Sequence, residues 1–486
     1  MRKAFSAIGL LLLGVVPLIV FGVVWQHARD ELRTADAGAA ATTGKNPKST
    51  PAPLAPILSA RRMPGFLATD IRQRAYAVSL APVVSALPKD GTCFVVSVDG
   101  NEVLDASGQI PVVPASNLKL FTASVALDIL GADYTYTTSL NGTVQGDTVQ
   151  GDLYLVGGGD PLLSTADYLN SGFNSHAPFN TTPFENLAVQ LKAAGITHVT
   201  GRILGDDSRY DQSERYDPNW TSDVPNTAGG AGPTSALLLN DGWTPRQGGV
   251  GAGIRKGVNP PLVAAQRLKT LLTQNGIAVD GGTDAGAMPA GLAAITSVQS
   301  AKLTDIVKEM LTNSDNNTAE MVLREIGLKA SGKGTRADGA AAVMTHLTGW
   351  GITGVSMVDG SGLDHGNKVT CDAMVAVLAK EGPTGPFHDA LSVAGQSGTL
   401  EKDFVGTPFA GHLFAKTGTL SVAKALSGYF PTSSGVVEFA LIVTVPEGSN
   451  QQAADVARPI WSLLPDSMSA APPGPSPDAL APGGSS

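Results

Sequence analysis

The chain runs to 486 residues, 43% of them apolar and 15% charged, enough hydrophobic content for two or three packed domains and too much for disorder throughout. A net charge of -9 argues against nucleic acid as a partner, because phosphate backbones attract basic faces. Two cysteines without a C-x-x-C and seven histidines without a paired spacing speak against a structural zinc site, and nothing in the pattern calls for a metal or cofactor.

After Met1-Arg2-Lys3 come 22 uncharged residues, Ala4 to Trp25. As a helix they span about 33 Å, against a hydrocarbon core of about 30 Å. Residues 1–25 are therefore expected to be a transmembrane anchor, with a cleaved signal segment as the alternative. Arg2 and Lys3 keep the start cytoplasmic, so the body faces an extracytoplasmic, disulfide-permissive space in the cell envelope. Residues 26–60 are rich in Ala, Thr and Pro and read as a linker; residues 467–486 read as a disordered tail.

Between these ends the pattern is α+β. "TCFVVSVDG" and "NEVLDAS" read as two strands around a turn at Asp99-Gly100-Asn101. A helix is expected from Ser116 to Leu130, stopped by Gly131. Near the other end "HLFAKTGTL", "KALSGYF" and "VVEFALIVTV" are strand-like, the last two joined by "PTSSG". Strands at both ends imply one sheet built from 61–140 and 292–466, flanked by helices. The glycine-rich middle, 141–291, with short strands and a helix at "NPPLVAAQRLKTLLTQNGI", reads as an inserted α/β region.

Three short motifs carry chemistry. Ser116 and Lys119 in "PASNLKLF" are one helical turn apart, so the amine can reach the hydroxyl. Alone, that spacing also describes an N-cap serine followed by an exposed lysine. Ser314-Asp315-Asn316 follows the helix-like "LTDIVKEML", and Lys416-Thr417-Gly418 lies in a strand. S-x-x-K, S-D-N and K-T-G in this order are the signature of serine β-lactamases and penicillin-binding proteins.

The chemistry explains the set. Ser116 would be the acyl nucleophile and Lys119, when neutral, its general base; burial and a neighbouring ammonium, Lys416, lower a lysine's pKa. Ser314 would relay a proton to the leaving group. Asn316 and the strand at Thr417 would align substrate amides, and the N–H groups of Ser116 and Thr419 would form an oxyanion hole. The hydroxyls of Thr417 and Thr419, flanking Gly418, would join Lys416 at a terminal carboxylate. A second S-x-x-K, Ser421 and Lys424, lies in strand-like sequence, where i and i+3 face opposite ways; it is not the site.

In order and spacing the chain resembles the low-molecular-mass penicillin-binding proteins of the D-alanyl-D-alanine carboxypeptidase/endopeptidase type, the class with large domains inserted in a transpeptidase-like fold. About 200 residues separate Ser116 from Ser314, as such an insertion requires. "GGGDPLL", "VDGSGLDHGNKVT" and "VAGQSGTL" carry the resemblance further. It implies removal of the terminal D-alanine from peptidoglycan stem peptides through an acyl-serine, trapping by β-lactams, and in some members cleavage of crosslinks. "DGSGL" (359–363) is expected to be a structural glycine turn. Two other functions compete. A class A β-lactamase needs a deacylating glutamate, and residues 326–380 hold none. A non-catalytic peptidoglycan-binding scaffold would not need to keep all three motifs. Cys93 and Cys371 are compatible with a disulfide or with two buried thiols, depending on whether their Cα atoms approach within about 7 Å.

Overall fold

The computed structural model describes residues 74–170, 179–220, 230–245, 253–254, 259–433 and 435–470. The expected anchor, linker and most of the expected tail lie outside them. Among the described residues no helix is long and apolar enough to cross a membrane.

In chain order, β1 (Thr92–Val98) and β2 (Asn101–Ala106) form a hairpin, and a 3-10 turn (Ala115–Leu118) leads into α1 (Lys119–Leu130). Next come β3 (Thr137–Gln145), β4 (Thr148–Val156), α2 (Glu185–Ala193), β5 (His198–Val199), β6 (Ile203–Asp206), α3 (Pro260–Gln274), β7 (Ala278–Val279), β8 (Thr283–Ala285) and β9 (Ala294–Gln299). The helices α4 (Leu303–Thr312), α5 (Asn316–Ser331), α6 (Arg336–Gly349) and α7 (Cys371–Glu381) follow. The chain then makes β10 (Ser392–Val393), β11 (Phe414–Thr419), β12 (Ala423–Thr432), β13 (Gly435–Thr444), α8 (Ala453–Trp461) and α9 (Leu464–Ser469).

Two sheets result. The first is antiparallel throughout, in the order β10-β11-β12-β13-β1-β2, and so joins both ends of the described chain. β1 is buried along its whole length because both faces of this sheet are covered. Its pleat sends Cys93 and Val95 to a core shared with α1, α4, α5 and α7, and Phe94, Val96 and Val98 to a second core under α8 and α9. The second sheet is mixed. β9, β3 and β4 are antiparallel; β4 then pairs in parallel with both β5 and β6, which in turn pair with β7 and β8. Helices α2 and α3 bury Leu187, Leu191, Leu268 and Leu272 in that sheet's core. This sheet spans Thr137–Gln299, wider at both ends than 141–291, because β3 and β9 pair with each other beyond those limits.

The expected tail needs one correction. Residues 467–469 belong to α9, where Ser467 and Met468 are buried; Met468 packs under the first sheet, which orders a stretch that composition alone marks as tail. Cys93 and Cys371 form a disulfide with their Cα atoms 6.0 Å apart, tying β1 to the start of α7.

A segment from the second-sheet region also lies on the helices of the first. Tyr210 donates to Glu325 Oε2 at 2.7 Å, Arg209 pairs with Glu325, and Trp220 Nε1 donates to Asp359 Oδ2 at 3.1 Å. The buried Arg324 of α5 donates to the carbonyls of Asp211 and Glu214.

Candidate active site

The 3-10 turn and α1 present Ser116 and Lys119. α1 is apolar around most of its surface and is buried from Lys119 to Ala126, so it carries the lysine into the core. Lys119 is 0% exposed, and its Nζ makes three hydrogen bonds: to Ser116 Oγ at 3.0 Å, Asn316 Oδ1 at 2.6 Å and the Ser361 carbonyl at 2.7 Å. Residues far apart in the chain, from S-x-x-K, S-D-N and the loop at 359–363, thus converge on one amine.

Each neighbour is positioned for a local reason. Asp315 caps α5 by accepting from Thr318 N at 2.7 Å, which sets Asn316 on the first turn facing Lys119. Asn316 Nδ2 donates to the Gly230 carbonyl at 3.3 Å, and Asn317 Oδ1 accepts from Gly232 N, so the second-sheet segment braces this helix end. Ser314 stands half-buried at φ 60° in the turn between α4 and α5, and its hydroxyl makes no hydrogen bond among the described residues. Ala115, just before Ser116, is at φ 48°. Non-glycine residues in this region cost about 1–3 kcal/mol each and cluster at functional sites.

On β11 the pleat divides the third motif. Lys416 pairs across the ladder with Ser427, whose Oγ accepts from Asn117 at 2.7 Å, so Lys416 and Gly418 face the Ser116 turn. A Cβ on Gly418 would stand 2.7 Å from the Pro114 carbonyl; only glycine lets the strand lie this close. Thr417 and Thr419 face the other way. Thr417 Oγ1 donates to Thr399 Oγ1 at 2.7 Å, and Thr419 Oγ1 accepts from Lys424 Nζ at 2.7 Å. The expected convergence of both hydroxyls with Lys416 is therefore not formed; alternation along a strand opposes it.

The electrostatics also depart from expectation. Burial lowers the Lys119 amine to about 8, against the opposing pull of Asp359, Asp315 and Glu320, which favour its charged form. Lys416, equally buried, is driven well below the ordinary lysine range by burial first and then by the charges of Lys119 and Lys424. Its Nζ donates to the Thr417 carbonyl at 2.8 Å. Asp359, Asp315 and Glu320 oppose the effect of burial at Lys119, whereas at Lys416 the neighbouring charges of Lys119 and Lys424 add to it.

The loop at 359–363 is the part that sequence reading missed. It is a glycine turn, and it also supplies the Ser361 carbonyl to Lys119. Glu320 Oε1 holds it from below, accepting from Gly360 N at 3.1 Å and Ser361 N at 2.8 Å. Asp359 accepts from Gly362 N, Asp364 N, Asn367 Nδ2 and Trp220 Nε1. Burial raises both carboxyls, Glu320 to about 7. Gly362, at φ 85°, lies against the Ala115 carbonyl, and Gly360 against that of Ala319, so the turn fits between the Ser116 turn and α5. "DGSGL" was visible in the chain, but its contacts were not.

The chain matches the family described as D-Ala-D-Ala carboxypeptidase 3 (S13) over residues 85–253 and 245–463. It is 34% identical over 433 residues to the carboxypeptidase DacB of Mycolicibacterium smegmatis, covering 84% of this chain and 89% of that one. It is 28% identical over 462 residues to the D-alanyl-D-alanine carboxypeptidase of Actinomadura sp. (strain R39), covering 78% and 81%. In fold it is similar to penicillin binding protein 4 (dacB) of Haemophilus influenzae, with a TM-score of 0.66 and 21% identity over 80% of this chain and 99% of that one. A buried lysine one turn from a serine that its amine reaches at 3.0 Å, and a family match across most of the described residues, lead to one conclusion: the chain belongs to the D-Ala-D-Ala carboxypeptidase 3 (S13) family.

Proposed function

We propose that Ser116 is the nucleophile with which this serine-type D-Ala-D-Ala carboxypeptidase opens the terminal peptide bond of peptidoglycan stem peptides. The observation that carries the reading is the 3.0 Å contact between Lys119 Nζ and Ser116 Oγ, made by an amine whose pKa is lowered to about 8. In its neutral form Lys119 takes the Ser116 proton as Oγ bonds to the carbonyl carbon of the penultimate residue. The N–H groups of Ser116, at a helix start, and of Thr419 receive the developing oxyanion. The C–N bond then breaks, and Ser314 passes a proton to the departing D-alanine amine. Water attacks the acyl-serine and releases the shortened peptide. Asn316 keeps Lys119 aimed at Ser116. Lys416 receives the terminal carboxylate, whose charge restores the Lys416 ammonium, while Thr417, Gly418 and Thr419 align the substrate through their backbone on the same strand. A β-lactam meets the same serine, but its cleaved amide stays tethered and the acyl-enzyme persists.

Around this site we place a discontinuous peptidase domain, 61–140 and 292–466, interrupted at 141–291, with residues 1–25 as its membrane anchor. Intact-mass measurement after penicillin exposure tests the central claim. The wild-type chain gains one penicillin mass, and Ser116→Ala gains none and releases no D-alanine from a pentapeptide. A labelled Ser116→Ala variant would remove the assignment.

A further inference from the structure

The second Ser-x-x-Lys motif has no part in acyl transfer, yet its lysine is unusually placed. Lys424 is 8% exposed, and a buried ammonium is costly unless an anion accompanies it. Its Nζ donates to Thr419 Oγ1 at 2.7 Å and stands 4.6 Å from the centroid of the Trp461 ring. No carboxylate forms an ion pair with it among the described residues.

The same lysine lines a cavity of about 370 Å³ between β12, α8 and the loop at 402–407. Lys402, Arg458 and Lys424 line it against a single acid, Asp403, with Phe404 and Trp461 as stacked aromatic walls 6.0 Å apart. Pockets of this size with a few converging polar groups are ordinary small-ligand sites. The pleat separates this cavity from the nucleophile: Lys424 lies opposite Thr419, on the face away from Lys416 and Gly418. Burial and then Arg458 hold the Lys424 ammonium below its ordinary range, partly offset by Asp403, so an entering anion would relieve an existing penalty.

We infer that this cavity binds a small oxyanion, a carboxylate or a phosphate, held by Lys424 and Arg458 with Lys402 at the rim. The inference is independent of the acyl-transfer reading, because none of the proposed acyl-transfer residues lines the cavity. An occupant also competes with Thr419 for the Lys424 hydrogens, so its presence is felt at the end of the Lys-Thr-Gly strand.

Titration calorimetry on the full-length chain tests it, with inorganic phosphate and N-acetylmuramic acid as probes at constant ionic strength. At least one probe should bind with a dissociation constant of roughly a millimolar or below, and Arg458→Gln and Lys424→Met should each weaken it by about tenfold or more. Binding of phosphate alone points to a phosphorylated ligand, of N-acetylmuramic acid alone to a carboxylated sugar, and of both to a general oxyanion site. Arg458 is exposed, so Arg458→Gln keeps the test valid even where Lys424→Met does not fold. A wild-type chain that binds neither probe, or an affinity unchanged in Arg458→Gln, overturns the inference.

Discussion

The ammonium of Lys119 donates to the carbonyl oxygen of Ser361 at 2.7 Å, although the two residues are 242 positions apart in the chain. That bond, with those to Ser116 and Asn316, fixes the position of the amine.

Acylation should follow the titration of this amine. If the neutral form is the base, as proposed, the second-order rate of reaction with a fluorescent penicillin should rise by about tenfold per unit below pH 8 and level off above about 9. Stability moves in the same direction. The unfolded lysine holds its proton up to 10.5 while the folded one sheds it near 8, so the unfolded state binds more protons in that window and stability increases with pH across it. A flat rate profile from pH 6 to 9 would exclude Lys119 as the titrating base.

Glu320 gives a second handle on the same limb. As a carboxylate it favours the charged form of Lys119, so Glu320→Gln should shift the acid limb to lower pH while its amide oxygen still accepts from Gly360 and Ser361. Glu320→Ala leaves two buried N–H groups unpaired, at about 1–3 kcal/mol each, and should slow acylation by loosening the loop. Identical profiles for wild type and Glu320→Gln would show that the carboxylate does not act on the amine.

Gly418→Val should separate fit from fold. A branched side chain meets the Pro114 carbonyl and Ala115 Cβ, so β11 must retreat from the Ser116 turn. Overpacking of this kind costs about 1–3 kcal/mol, and acylation should fall by about a hundredfold or more while the melting transition remains cooperative. Near-normal acylation would mean that the close approach is unimportant.

Reduction of the disulfide should lower stability without touching the chemistry. Cys93 and Cys371 close a loop of 278 positions, for which chain entropy alone gives up to about 5 kcal/mol. Cys93→Ser/Cys371→Ser should melt well below the oxidised wild type, yet react with penicillin at the same rate under folding conditions. Thermal scans with and without reductant provide the comparison.

Much of this protein is local and therefore legible. S-x-x-K reads as one turn because i and i+3 share a helical face, and the apolar runs of β1, β12 and β13 read as strands. The order of the three motifs carried the family resemblance, and the strand-like and helix-like runs carried the α+β class. Burial, pleat direction and contacts between distant residues are not local properties. Only packing could set the Ser361 carbonyl and the Glu320 and Asp359 carboxyls around Lys119, or show that Thr417 and Thr419 turn away from Lys416. It alone brought the two cysteine Cα atoms to 6.0 Å and left Lys424 buried without a carboxylate partner among the described residues. The sequence names the groups that react, while the charge each one carries depends on how far the folded chain removes it from water and which distant residues replace that water.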